Sequence, residues 1–445
     1  MARTLTSGPI AGHLIRLTIP SIAGFLAITA FNLTDTYFVS RLGTDPLAAM
    51  GFTFPVVMVV GALASGVAMG AGSILARAFG AGDDEGVKRA ATHGLLLSLT
   101  LTALVGAIGL LTMRPLFLAM GASEEVLPLV KNYMTIWYAG SIVVMTPPVG
   151  DSNLRATGDM IRPSIVMIIC AVGNVVLDPL LIFGAGPIPA MGIAGAALAT
   201  VISRGFGMAA TLTFNIRAGL IDKNLETIRR IWSTWLRILY IGVPTALTQL
   251  MPSLLRAVLT AMAAAAAGTV GVAAVAAGGR VESVPLMVAW AFNFSILTLI
   301  AQNYGAGRAD RVETVRRSVL TISLAYGGLL AAGIWFSAPS LAGIFSDDPE
   351  VIRLSTIYLR AAFLSSFGVL ILTWTSVTLN AVGRPMRSLA LNAAATGLLM
   401  IPGAYIGRLA VPDEPFIGMM AGLACANVLS GAAAWFVGKR RLLSD

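Results

Sequence analysis

The chain carries little charge and almost no cysteine or histidine. Charged residues make up 11% of its 445 positions, hydrophobic residues make up 57%, and the mean hydropathy is +0.84. Soluble domains carry about 25% charged residues, so this composition excludes the soluble globular class. The apolar runs are about 20–30 residues long and do not alternate with period two, which favours membrane-spanning helices over a transmembrane β-barrel.

The scarcity of cysteine and histidine argues against metal and redox chemistry. Cys170 and Cys425 each lie inside an apolar run, and His13 and His93 are isolated in the sequence. We interpret both cysteines as small hydrophobic residues and expect no disulfide and no cofactor. There is no HExxH motif and no Walker loop, so the chain is not expected to hydrolyse ATP or to be a zinc protease.

Twelve apolar segments follow one another along the chain, and they predict an all-α polytopic membrane protein with twelve transmembrane helices. The first segment is too long for the apolar core of a cleavable signal, so it is expected to be the first membrane helix. The predicted spans are 13–40, 46–79, 90–112, 125–149, 162–184, 191–216, 232–266, 272–304, 314–336, 350–377, 387–407 and 415–438.

The second half of the chain repeats the first. The sequence ARAFGAGDDEGV at Ala76–Val87 aligns with AQNYGAGRADRV at Ala301–Val312, and Tyr133 aligns with Tyr358 in the same register. Six helices in each half return the chain to the same side of the membrane. The repeat therefore predicts two six-helix lobes related by a pseudo-two-fold axis along the membrane normal.

The distribution of lysine and arginine predicts the orientation. By the positive-inside rule, the basic loops and both termini are expected in the cytoplasm, with the protein in the inner (plasma) membrane. The net charge of +9 then needs no nucleic-acid partner. We expect an N-lobe at 1–216 (helices 1–6), a cytoplasmic linker at 217–231 and a C-lobe at 232–445 (helices 7–12). The basic positions are Arg77, Lys88, Arg89, Arg155, Arg162, Arg217, Lys223, Arg229, Arg230, Arg308, Arg311, Arg316, Arg317, Arg384 and Arg387, with Lys439, Arg440 and Arg441 in the tail.

Two carboxylates of the first half lie within predicted spans. Asp35 is on helix 1 and Asp178 on helix 5, and at a rise of about 1.5 Å per residue each lies about 9 Å below the outer end of its helix. Asn174 precedes Asp178 by one helical turn and shares its face. Because acids inside a membrane span usually face a protein or water cavity, we expect one polar pocket. The alternative is that both are hydrated residues at the outer end, and the Asp178-Pro179 pair favours a turn.

The repeat does not copy these acids, because Asp178 aligns with Gly403. That asymmetry favours function over structural support. Glu282 is the remaining intramembrane acid. We expect it to pair with Arg256 between helices 7 and 8. The alternative is a second cation or substrate site that also includes Arg280.

With these residues the chain resembles the multidrug and toxic compound extrusion (MATE) transporters. The resemblance covers essentially the whole chain and includes the repeated AFGAG/NYGAG and LRATGD/LNAVGR loops. Asp35, Asn174 and Asp178 resemble the site of the DinF-type branch, Thr200 matches its threonine on helix 6, and Pro20 matches the proline at which helix 1 is proposed to bend. The acids of the NorM-type branch on helices 7 and 10 are missing.

The resemblance implies export of small organic, often cationic and amphipathic, compounds by a monomer in the bilayer, through antiport with H⁺ or Na⁺. Two carboxylates in an apolar pocket repel each other, which favours uptake of a proton. Together with the oxygens of Asn174 and Thr200 they can instead bind Na⁺, a hard cation that prefers oxygen ligands.

Three other functions remain open. A lipid-linked oligosaccharide flippase of the same superfamily would need cations for pyrophosphate, for which only Arg256 and Arg280 are candidates. A non-transporting scaffold would not need the acids. A membrane enzyme would need a nucleophile–base or metal set, and the sequence shows none of the usual motifs.

Overall fold

Helices form nearly all of the computed structural model, which describes residues 5–222 and 230–441. In that part of the chain the only β-type pairing is an isolated bridge between Ala185 and Ile188, in the connection after the fifth span. Residues 223–229 of the predicted linker and the side chains of the basic tail at 439–441 lie outside the described residues.

The first half of the described chain contains six spans. Span 4 is a series of short helices, whereas the other spans are single helices. Their bounds are Ile10–Ser40 (span 1), Thr44–Ala81 (span 2), Asp84–Ala119 (span 3), Leu127–Ala139, Ser141–Met145 and Pro147–Ala156 (span 4), Ile161–Ile182 (span 5) and Ile193–Arg217 (span 6).

The second half also contains six spans, two of which contain a bend or an irregular turn. The two helices of span 10 meet at an angle of 49°, and span 11 contains a π-helical turn. The bounds are Ile231–Gly305 (spans 7 and 8), Ala309–Gly343 (span 9), Pro349–Leu364 and Ser366–Ala381 (span 10), Pro385–Ala394, Ala395–Met400 and Ile401–Ala410 (span 11) and Pro415–Arg441 (span 12).

Spans 7 and 8 form one continuous element with a sharp break. The backbone leaves the helical region at Ala267 (φ −144°, ψ 20°) and at Gly268 (φ 60°, ψ −144°). Only glycine adopts the second of these conformations readily, so Gly268 reverses the chain without a separate loop. With this break, the series of short helices in span 4 and the bend in span 10, the described residues contain the twelve predicted spans in order.

The chain divides into two compact units by packing. One contains Ile15–Ala246 with residues 5–7, and the other contains Gly8–Leu14 and the described residues from Leu247 onward. Each unit has its own apolar core: Phe117, Met134 and Trp137 lie in the first, and Leu359 and Met419 in the second. The predicted lobe boundaries follow topology rather than packing, and they stay a prediction.

Candidate functional site

Span 1 and span 5 pack side by side at two levels. A Cβ atom placed on Gly24 would lie 3.3 Å from the Cα atom of Ser164, so the two backbones approach closely there. Nearer the C-terminal ends of both helices, the rings of Phe38 and Phe183 meet edge to face with centroids 6.1 Å apart. Asp35 and Asp178 lie just before these aromatic residues, on neighbouring helices and at similar depth.

Both carboxylates are buried. Asp35 is 6% exposed and Asp178 is 0% exposed. The two are close enough for their charges to interact. Span 5 runs as one helix from Ile161 to Ile182, through Asp178 and Pro179. The alternative interpretation of Asp178 as a hydrated turn residue is therefore wrong, because a buried helical position offers its carboxylate no bulk water.

Asn174 and Asp178 form a hydrogen-bonded pair on one face of span 5. The side-chain amide of Asn174 donates to Asp178 Oδ1 over 2.9 Å. Three buried acceptors of these residues have no hydrogen-bond partner within residues 5–222 and 230–441: Asp35 Oδ1, Asn174 Oδ1 and Asp178 Oδ2. A buried acceptor without a donor costs about 1–3 kcal/mol, and more when it is charged. The arrangement is therefore suited to an added proton or a cation bound by oxygen atoms.

Thr200 lies on span 6, which packs against span 5. The Ser203 hydroxyl donates to the Thr200 carbonyl oxygen over 3.0 Å, and Ser203 packs against Gly173, the neighbour of Asn174. The first turn of span 6 also packs closely against the end of span 5: a Cβ on Gly195 would lie 2.3 Å from the Leu181 carbonyl oxygen. These contacts place Thr200 on a helix that packs against span 5. No hydrogen bond joins its side chain to either acid in the described chain, and its role at the site stays a prediction.

Tyr133 belongs to the same polar group, and the sequence interpretation missed it. This side chain of span 4 is buried in the apolar core, where it interacts electrostatically with both Asp35 and Asp178. The sequence held one signal for it, the alignment of Tyr133 with Tyr358 across the repeat. Three spans therefore contribute side chains that interact with one another at this site.

A second buried polar cluster in the first unit joins the last helix of span 4 to span 6. Asp151 accepts a hydrogen bond of 2.7 Å from the Thr211 hydroxyl, and its charge interacts with those of Arg155 and Arg204. The Arg204 guanidinium lies 5.3 Å from the ring centroid of Phe31, one helical turn before Asp35 on span 1. The prediction ended span 4 at residue 149 and counted Arg155 as a loop cation. Span 4 in fact continues to Ala156, and it buries the side chains of Asp151 and Arg155.

Pro20 lies inside span 1, and the helix is assigned as one element from Ile10 to Ser40. Pro20 cannot donate a backbone hydrogen bond, so the helix is weakened at that turn. Its role as a bending point stays a prediction.

The residues proposed for a second site lie in the other unit. Arg256 Nη2 lies 3.8 Å from Glu282 Oε2, and the Tyr358 hydroxyl donates to the same oxygen over 2.7 Å. Arg280 lies apart from this group, with its guanidinium 5.9 Å from the ring centroid of Phe345. The structure therefore joins Arg256 and Glu282, and no ion pair of the described residues includes Arg280.

Comparison with known proteins gives the family. The MatE family model matches residues 20–180 and 244–406. The FAD transporter of Shewanella oneidensis is 36% identical over 441 residues, which is 98% of this chain and 96% of that protein. The probable multidrug resistance protein NorM of Thermotoga maritima is 26% identical over 405 residues, 89% of this chain and 85% of that protein.

The fold comparison agrees. The crystal structure of the Vibrio cholerae MATE transporter VcmN in the bent form matches with a TM-score of 0.91 and 27% identity, covering 99% of this chain and 98% of that one. The all-α architecture with twelve transmembrane helices in two lobes is thereby confirmed. The chain belongs to the MatE family of multidrug and toxic compound extrusion transporters, multi-pass membrane proteins that move small organic substrates.

Proposed function

We propose that this protein is a secondary antiporter, which exports an organic substrate in exchange for H⁺ or Na⁺ bound at Asp35 and Asp178. The observation that carries the proposal is a set of three buried acceptor atoms, on Asp35, Asn174 and Asp178, that have no hydrogen-bond partner in the described part of the chain. A scaffold protein gains nothing from such a group, whereas an antiporter needs a site that is unfavourable when empty and favourable when an ion is bound.

The ion would act by neutralising the pocket. With both carboxylates charged, repulsion and desolvation favour a state in which water reaches the site, and a bound ion removes that preference. The expected response is that span 1, the helix that carries Asp35 and Pro20, relaxes or bends near Pro20. The available free energy is about 1.4 kcal/mol for each pH unit and about 2.3 kcal/mol for each charge per 100 mV of membrane potential.

Two substrate classes are candidates. The family resemblance implies amphipathic organic cations, and the NorM relative from Thermotoga is named a multidrug resistance protein. The Shewanella relative, with higher identity over nearly the whole chain, is named an FAD transporter. The half-exposed Arg256 within span 7 favours this second class, because a guanidinium repels a cation and attracts a phosphate.

We further propose that both termini face the cytoplasm, because that orientation places the basic loops inside. The acids near the outer ends of spans 1 and 5 would then meet the extracellular solution first. The lipid-linked oligosaccharide flippase remains an alternative that uses the same arginine and does not need the two acids.

Efflux from proteoliposomes tests the proposal. Release of an ethidium-type dye and of FAD is measured under a pH gradient alone and then under a sodium gradient alone. One gradient should drive release in the wild-type protein, and Asp35→Asn and Asp178→Asn should abolish it. Asp347→Asn removes an exposed carboxylate and should transport normally. Full transport by both buried-acid variants would reject the coupling role.

A further inference from the structure

The two units treat their repeated tyrosine differently. Tyr133 interacts with two carboxylates, and no guanidinium of the described residues forms an ion pair with them. Tyr358 instead donates a hydrogen bond to Glu282, which lies next to Arg256. The first unit therefore has unpartnered negative oxygens and is suited to a cation. The second unit adds a positive group at the corresponding place in the repeat, which reverses the kind of ligand it can attract.

Arg256 is held loosely. Its nearest carboxylate atom is 3.8 Å away, beyond hydrogen-bond distance, and its side chain is 52% exposed. In the described part of the chain the guanidinium donates no hydrogen bond to a protein group, although it carries five N–H donors. A charge within a membrane span normally faces a water-filled cavity and has a task. The donor edge of Arg256 is therefore available to a ligand.

Glu282 is held firmly by its other neighbour. The Tyr358 hydroxyl donates to Glu282 Oε2 over 2.7 Å, and the ring of Tyr358 is buried in the apolar core. The carboxylate can thus stay in place when Arg256 turns toward another anion. Tyr358 supplies the hydrogen bond that the carboxylate keeps after the ion pair has opened.

Two adjacent glycines of span 8 allow Tyr358 and Arg256 to pack closely against that helix. A Cβ on Gly278 would lie 2.3 Å from the Tyr358 ring, and one on Gly279 would lie 2.5 Å from Arg256 Nη1. Tyr358 packs on Gly278 and Arg256 packs on Gly279. The glycine pair therefore lets both side chains approach span 8, and any larger residue would displace one of them.

We propose that Arg256 binds an oxyanion of the transported substrate, of the phosphate or pyrophosphate class, and that Glu282 is the internal anion that this substrate displaces. The planar guanidinium matches a phosphate in a two-point contact, which is shorter and stronger than its loose ion pair with Glu282. This inference rests on the proposed function, because it assigns the substrate class of the same transporter.

Equilibrium binding to the detergent-solubilised full chain tests the inference without any ion gradient. Flavin fluorescence after dialysis gives the affinity for FAD and for riboflavin, a flavin that lacks the two phosphates and the adenosine attached to them. The wild-type protein should bind FAD more tightly. Arg256→Gln should weaken FAD binding about tenfold to a hundredfold and leave riboflavin binding unchanged. Arg256→Lys keeps the charge without the fork and should lose part of the affinity.

Glu282→Gln is the complementary variant. It removes the internal competitor and should tighten FAD binding severalfold, a gain that damage to the fold cannot produce. Arg360→Gln is the control, because Arg360 is a cation of the same unit that donates to the Trp335 carbonyl oxygen and lies outside the proposed site. If Arg256→Gln does not fold, the lysine variant and Glu282→Gln decide the question.

The outcomes separate this inference from the proposed function. Equal binding of FAD and riboflavin by the wild type, wild-type FAD affinity in Arg256→Gln or Arg256→Lys, or weaker FAD binding in Glu282→Gln would overturn the role of Arg256. Ion-driven transport could still be present in that case. FAD binding that depends on Arg256, without ion-driven transport in proteoliposomes, would overturn the proposed coupling and leave the anion site intact.

Discussion

The side-chain amide of Asn174 donates a hydrogen bond of 2.9 Å to Asp178 Oδ1, while the other oxygen, Oδ2, is buried and has no partner among the described residues. The hydrogen bond fixes the carboxylate on span 5 and directs its free oxygen away from Asn174. Asp35 lies close enough to interact with the same carboxylate. Each of the two helices therefore carries one buried acceptor that has no hydrogen-bond partner among the described residues, and a bound ion would satisfy it.

The substitution Asn174→Ala should identify the ion. It removes a donor that stabilises the charged carboxylate and an oxygen that can bind Na⁺. If the protein couples to H⁺, the concentration that gives half-maximal transport should fall about tenfold or more. If it couples to Na⁺, that concentration should rise by a similar factor. Transport titrated against each ion measures the shift, and an unchanged midpoint would contradict the site.

Tyr133→Phe should lower ion-driven transport severalfold. The change removes one hydroxyl beside the two carboxylates and keeps the ring in the apolar core. Tyr138→Phe removes a hydroxyl from the same core without altering a group that interacts with the acids, and it should transport normally. Equal rates for the two variants would show that Tyr133 serves packing alone.

Gly195→Ala should separate span 6 from span 5. The new Cβ would meet the backbone of Leu181 at 2.3 Å, and backbone cannot rotate away as a side chain can. Overpacking of this kind costs about 1–3 kcal/mol, and it would displace Thr200 from the site. The measurements are thermal unfolding in detergent and transport rate. Gly205→Ala, in the same span, meets no atom within 4 Å and should be neutral or slightly stabilising.

Asp151→Asn should destabilise the first unit strongly. It removes the carboxylate whose charge interacts with those of Arg155 and Arg204, and removing one member of a buried charge interaction costs about 3–5 kcal/mol. Thr211→Ala removes the hydrogen bond to Asp151 and keeps the charge, so it should cost only about 1 kcal/mol. The unfolding midpoints of both purified variants give the comparison. A smaller loss in Asp151→Asn than in Thr211→Ala would contradict a charge-balancing role.

The spans were predictable because long apolar runs must satisfy their backbone within a helix in the bilayer. The same reasoning found Asp35 and Asp178, since carboxylates inside such runs are rare. It missed Asp151, which lies in a short polar helix that continues span 4 past the apolar run. It also missed Tyr133 and Arg204, because each is defined by contacts with other spans and not by its sequence neighbours. The Gly268 break and the bend within span 10 likewise depend on backbone conformation, which hydropathy does not report.

The most direct test of the central claim is the number of coupling ions released when substrate binds to the purified protein in detergent. A pH indicator records proton release in weakly buffered solution, and an ion-selective electrode records sodium. The account predicts release of about one ion or more per wild-type molecule and none from Asp35→Asn, Asp178→Asn or the double variant. Wild-type release from the double variant would contradict the claim that these two carboxylates hold the coupling ion.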